Sequence, residues 1–221
     1  MFIKEPKALG PGSFEMAKYL VESTNIKEGM RILEVGGGSG QIATTLAKFW
    51  NVSVVTLEPW SDGCDIHLYA KQQNVENQVM ALKTMAQSMP FTSCTFDAVI
   101  SIGSFEMIAN DRPVALTEMI RVAKSGARIG IAEPMCLPGP IPADIPDSET
   151  KRSFQECFAT LNWNCELFSD HGLKIVDNYY FDEAYQWWQQ YRINVSEEEQ
   201  QFITQDNGRW ISLGLVVGEK Q

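Results

Sequence analysis

The chain has 221 residues, 44% of them hydrophobic, with a formal net charge of −10. That length buries one full core, no run is apolar enough to span a bilayer, and the acidic balance repels phosphate backbones, so neither membrane nor nucleic acid is an expected partner. Five cysteines, none at C-x-x-C or zinc spacing, and an N-terminus without an apolar leader predict reduced thiols, no metal site and a cytoplasmic location.

Residues 1–13 read as irregular and end in LGPGS. A helix follows over 14–24, with Phe14, Ala17, Leu20, Val21 and Thr24 on one face and Ser13 as its N-cap. Residues 32–35 (ILEV) form a short buried strand, then glycine stands at 36, 37, 38 and 40, then 41–50 is helical with Ile42, Leu46 and Phe49 in phase. Strand, glycine turn and helix together offer backbone N–H groups and a helix N-terminus to a ligand. Residues 52–57 (VSVVTL) form the next strand, which ends at Glu58, roughly 20 residues past the turn, where a carboxylate can accept both hydroxyls of a ribose. A helix follows around 62–73, then strands at 79–83 and 96–102. Asp97 starts the latter at its N-terminal end, away from the carboxyl edge where ligands bind, and so is structural.

A helix over 111–123 carries Leu116, Met119, Ile120 and Ala123 in phase, and Gly126 is its expected C-cap before a fifth strand. Five prolines in 134–146 predict a loop. Further expected elements are a helix at 148–161, a strand at 174–180, helices at 182–191 and 197–202, and a closing strand at 210–217. The alternation predicts an α/β fold: a Rossmann-like, mostly parallel seven-stranded sheet with the last strand antiparallel, helices on both faces and the N-terminal helix over the cleft. The expected division is one domain: a cap segment at 1–25, a core at 26–133, and a C-terminal half at 134–221 that supplies the substrate-side loop.

The glycine spacing is G-x-G-x-G, with Glu34 two positions before Gly36, and Gln41 stands where the dinucleotide fingerprint needs its third glycine. This pattern resembles the first motif of the class I S-adenosylmethionine (SAM) methyltransferases. Glu58 resembles their second motif, 85–91 (MAQSMPF) the adenine-side segment, 96–102 the fourth-strand motif and 123–134 the turn before strand five; the likeness runs from about Glu34 to Glu133. In general character it is similar to small-molecule enzymes of the ubiquinone and menaquinone type. The resemblance implies SAM as cofactor, held by Glu34, Gly36, Gly37, Gly38, Gly40, Glu58, Pro59, Met85, Ala86, Gln87, Ser101, Ile102 and Gly103. Met85 stands where relatives carry the acid that bonds the adenine amino group, so backbone and apolar contacts replace it.

Methyl transfer from a sulfonium is an in-line displacement that depends on positioning, with a base needed only for a protic acceptor. Glu106, just past the fourth strand, is the candidate base, and Tyr19 on the N-terminal helix is the second. His67 and His171 read as surface or structural residues. Tyr185, Trp187, Trp188 and Tyr191 read as core before they read as a cation site. The acceptor is expected between the loop at 103–107, the segment at 9–19 and the region after Pro134. The expected partner is a small-molecule methyl acceptor, and a homodimer is left open. An NAD(P)-dependent oxidoreductase and a non-catalytic SAM-binding regulator remain as alternatives.

Overall fold

Runs of β-branched residues alternating with amphipathic helices build the sheet their order requires. The computed structural model describes residues 10–221, so the expected irregular stretch at 1–9 lies outside the described residues. In chain order it contains α1 (Ser13–Thr24), β1 (Arg31–Val35), α2 (Gln41–Trp50), β2 (Ser53–Leu57), α3 (Cys64–Gln72), β3 (Val79–Leu82) and β4 (Phe96–Ile102). A 3-10 helix at Glu106–Asp111 leads into α4 (Arg112–Val122) and β5 (Ala123–Cys136). Then come α5 (Glu149–Cys157), α6 (Leu161–Asp170), β6 (Leu173–Tyr180), α7 (Ala184–Arg192), α8 (Glu197–Asp206) and β7 (Ile211–Lys220).

The seven strands form one sheet in the order β3-β2-β1-β4-β5-β7-β6. The pairs from β3 through β5 are parallel, and β7 runs antiparallel to both β5 and β6. This is the expected Rossmann-like arrangement. Strand order reverses between β1 and β4, and a crevice opens beyond the carboxyl ends of the strands at such a switch point.

Alternation along the strands feeds two cores. Ile32 of β1 joins a cluster with Leu20 of α1, Leu46 of α2, Ile66 of α3 and Trp188 of α7. Leu33 and Val35 join the opposite cluster, with Leu116 of α4 and Phe168 of α6. The N-terminal helix sits tightly on β5, because Gly130 has no Cβ there; one would lie 2.6 Å from Leu20 Cδ1.

Local expectations are corrected at four places. Helix α1 starts at Ser13 itself, with Gly12 as a left-handed N-cap, and the Ser13 hydroxyl donates instead to Gly10 O at 3.0 Å. Gly126 does not cap α4, because Ala123 is already extended and pairs with Phe96, leaving Gly126 (φ 74) inside β5. Pro134 lies within β5 opposite Leu213 rather than in a loop. Its missing N–H costs nothing, since β4 pairs only as far as Ala132 and leaves that edge open. The helix expected at 148–161 is two helices. Phe158 is extended, Thr160 bridges to Cys136, and the Thr160 hydroxyl accepts from Trp163 N at the start of α6.

Leu20 is fully buried where α1 meets the sheet. Leu20→Ala is expected to cost about 2–5 kcal/mol, read as a lower midpoint in urea unfolding at unchanged slope.

Candidate active site

The site begins where β1 stops. Gly36 and Gly37 N–H both donate to Leu57 O at 2.9 Å, which ties the end of β1 to the end of β2. The turn needs Gly36 because its φ is +85° and a Cβ would overlap Ser104 Oγ. It needs Gly37 because a Cβ would overlap Thr56 Oγ1. Glu58 follows β2 with its carboxylate nearly buried; Oε2 accepts from Gly38 N–H at 2.8 Å and Oε1 from Trp60 N–H at 3.0 Å. Each oxygen keeps a second acceptor position.

A cavity of about 700 Å³ opens above these groups, a volume within the usual range for ligand sites. Sheet order divides its wall. On the side of β1, β2 and β3 it is lined by Gly36, Gly37, Gly38, Glu58 and Pro59, and by Met85, Ala86 and Gln87 from the stretch after β3. Ile102 and Gly103, at the end of β4, stand in the middle. On the other side are Gly10, Pro11, Ser13, Phe14, Glu106 and Met107, together with Phe154, Cys157 and Phe158 from α5 and its exit, and Trp188 and Tyr191 from α7. The three segments expected around the acceptor therefore meet at one cavity.

Four expected site residues do not line it. Glu34 is buried beneath the turn, where the Thr56 hydroxyl donates to its Oε2 at 2.6 Å. Gly40 lets α2 approach α3, since a Cβ there would lie 2.6 Å from Ile66 Cγ2. The Ser101 hydroxyl is buried and donates to Val35 O at 2.9 Å. Tyr19 packs edge-on against Phe181 with ring centroids 5.4 Å apart, on the far side of α1 from any chemistry. Asp97 holds β1 to β4, accepting from Arg31 N–H at 2.8 Å and from Lys124 Nζ at 2.5 Å. His67 is exposed, and His171 Nδ1 lies 2.7 Å from Leu167 O.

Past β4 lies a buried acid pair that sequence reasoning found only by half. Glu106 N–H donates to Glu133 Oε2 at 2.9 Å, and both side chains are buried. Arg112, also buried, stacks 4.3 Å above the Trp163 ring and donates from Nε to Ala109 O at 2.9 Å. Burial pushes the Glu106 carboxyl up to about 7, against its hydrogen bonds and the Arg112 charge. Burial raises Glu133 further, with the Glu106 charge adding to it. Glu106 Oε2, Glu133 Oε1 and Arg112 Nη1 are buried, and the two carboxyls share a hydrogen bond in which Glu133, the more readily protonated, donates to Glu106. Of the three residues, only Glu106 reaches the cavity wall. The signal for Glu133 was present in the sequence as an acid ending the apolar run IGIAEP; Arg112 carried none.

A methyltransferase-domain family model matches residues 33–131, which span β1 to β5 and every turn on the glycine side of the cavity. Residues 33–131 therefore match a methyltransferase domain. Among the chain's relatives is O-methyltransferase rstn1 of Aspergillus nomiae, 28% identical over 144 residues, or 65% of this chain and 61% of the relative. Sterol 24-C-methyltransferase erg6 of Aspergillus fumigatus is 32% identical over 118 residues, or 52% of this chain and 30% of the relative. The chain thus spans less than two thirds of the length of either. In fold the chain is similar to geranyl diphosphate C-methyltransferase of Streptomyces coelicolor (TM-score 0.79, 15% identity, 94% of this chain and 79% of that one). It is as similar to the [4+2]-cyclase SpnF (TM-score 0.77, 16% identity, 98% and 85%), so the fold alone does not fix the reaction.

The residues present fit the donor. The glycine backbone leaves the turn open to the cavity, and Glu58 keeps acceptor capacity there. Glu34 sets the pH response of this turn: burial raises its carboxyl to about 7, partly offset by the Thr56 hydrogen bond and reinforced by the Glu58 charge. The folded protein therefore binds the proton more tightly than the unfolded chain, and loses stability as pH rises from about 4.5 to about 7. Glu34→Gln removes this loss. Its melting temperature relative to the parent is expected to rise from pH 5 to pH 8, a swing equivalent to about 3 kcal/mol.

Proposed function

We propose that the protein moves a methyl group from SAM to a protic small-molecule acceptor, with Glu106 receiving the acceptor's proton. The observation that carries this reading is the buried Glu106 carboxyl, paired with Glu133, at the wall of the cavity the glycine turn opens into. When bound, SAM supplies an electrophilic methyl group on a sulfonium. The backbone of Gly36, Gly37 and Gly38 would hold its amino-acid and sugar portions, and Glu58 would accept from the ribose hydroxyls. Met85, Ala86 and Gln87 would hold the adenine, and Ile102 and Gly103 would border the methyl-bearing part. Glu34, Gly40 and Ser101 act through the turn they support rather than by contact. Residues 26–133 hold the donor; 10–25 and 134–221 close the acceptor side. The free thiols of all five cysteines fit a cytoplasmic setting.

Glu106 takes a proton only as the carboxylate, and Glu133, Arg112 and Cys157 are the ionisable groups facing it. Placing it among low-dielectric neighbours brings its proton affinity near the working pH, where a base is most effective.

Two measurements test the proposal. Titration calorimetry should show binding of SAM and S-adenosylhomocysteine and none of NAD, with Glu58→Ala weakening both by about 1–3 kcal/mol. Wild-type affinity in that variant would remove Glu58 from the donor site. On an identified acceptor, kcat/KM should climb with pH through about 7, and Glu106→Gln should lower kcat and flatten the climb while leaving SAM affinity unchanged. A parallel profile in parent and variant would take the base role from Glu106.

A further inference from the structure

The acceptor side of the cavity has a definite charge and a definite surface. Phe154, Phe158, Trp188 and Tyr191 give it aromatic walls, and Met107 adds an apolar edge. Two acids, Glu106 and Glu199, border it, and a third, Asp111, lines the cavity where it accepts from Gln87, while no lysine, arginine or histidine among the described residues lines any part of it. Arg112 lies beside the acid pair, stacked on Trp163 and bonded to Ala109 O, and does not line the wall. A phosphate or carboxylate brought here would lose its water and meet hydroxyls and carboxylates but no cation. A neutral alcohol would bring Glu106 a hydrogen bond and no charge. An ammonium group brings Glu106 a charge-assisted hydrogen bond, adds to the compensation that Arg112 gives, and is attracted to the aromatic rings of Trp188 and Tyr191.

We propose that the methyl acceptor is an apolar primary or secondary amine, bound as its ammonium with nitrogen against Glu106 and its hydrocarbon part among Phe154, Phe158 and Trp188. This rests on the methyl-transfer reading of the same cavity. The ammonium gives one proton to the Glu106 carboxylate, which becomes the neutral acid. The nitrogen lone pair so freed displaces sulfide from the sulfonium donor, forming the C–N bond and leaving the C–S electron pair on sulfur. The proton on Glu106 then returns to solvent when the N-methyl product leaves. Glu133 and Arg112 position Glu106 without touching the acceptor: the first holds its backbone, and the second offsets the negative charge of the pair.

The test uses three probes matched in their apolar part: 2-phenylethylamine, 2-phenylethanol and 3-phenylpropanoate. Their affinities are measured by calorimetry with and without S-adenosylhomocysteine. The amine is expected to bind about tenfold or more tighter than the alcohol, with the carboxylate weakest. Glu106→Gln should bring the amine to within about threefold of the alcohol. Glu199→Gln, on a different element, should reduce the preference partially and serves if Glu106→Gln fails to fold. Equal or tighter binding of alcohol or carboxylate, binding of none of the three, or an amine preference intact in both variants overturns the proposal. Failure of S-adenosylhomocysteine to bind, with the amine preference intact, strikes the donor reading and leaves the ammonium site standing. Donor binding without an amine preference strikes the acceptor class alone.

Discussion

One carbonyl organises this molecule. Leu57 O accepts from two successive N–H groups, Gly36 and Gly37, so the chain turns sharply where β1 and β2 end side by side. The turn is possible only without side chains, because Cβ atoms at 36 and 37 would occupy the space of Ser104 and Thr56. Those two hydroxyls are themselves committed: Ser104 donates to Val35 O and Thr56 to Glu34. Backbone bonds, missing side chains and buried hydroxyls thus fix one geometry, and the Glu58 carboxylate reads it directly through Gly38 N–H. A turn determined this many times over does not reorganise to meet a ligand, which is what a positioning enzyme needs.

The molecule buries acids in two different ways, and the contrast assigns their roles. Glu34 has a hydroxyl partner and no face on the cavity; it holds the turn in place. Glu106 is paired with a second buried acid, Glu133, and does face the cavity. Burying two carboxyls together costs stability, and such a cost persists where a ligand repays it. Ala109 adds to the strain beside Glu106, held at φ 52 and ψ −120 so that its carbonyl can receive Arg112. The donor half of the cavity is built from backbone and the acceptor half from side chains. The first suits a constant cofactor, and the second allows a particular substrate.

The alternation of apolar strands and amphipathic helices, the G-x-G-x-G spacing and the acid at 58 were enough to place the sheet, the cofactor turn and most of its lining. These are local signals, since each depends on residues within one turn or one strand. The misplaced features had tertiary causes. The 148–161 run looks like one helix until Thr160 meets Cys136, and Pro134 looks like a breaker until β4 stops short of it. Ser101 and Gly40 looked like cofactor contacts because they sit beside residues that line the cavity. Side chains one residue apart on a strand point to opposite faces, and only packing shows which face meets the ligand.

By itself the sequence determined the class of fold and the turn at one end of the cavity, because a short glycine turn and a strand-end acid carry their own geometry wherever they occur. Only the tertiary structure decided the acceptor side. Glu106 and Glu133 are 27 residues apart, and α5 and α7 bring Phe154 and Trp188 together from 34 positions apart. The charge, burial and pairing of such a group exist only after the chain has closed around it. Nothing in the spacing of those residues could reveal that Glu106 pairs with Glu133 beside aromatic walls, with no cation lining the cavity among the described residues.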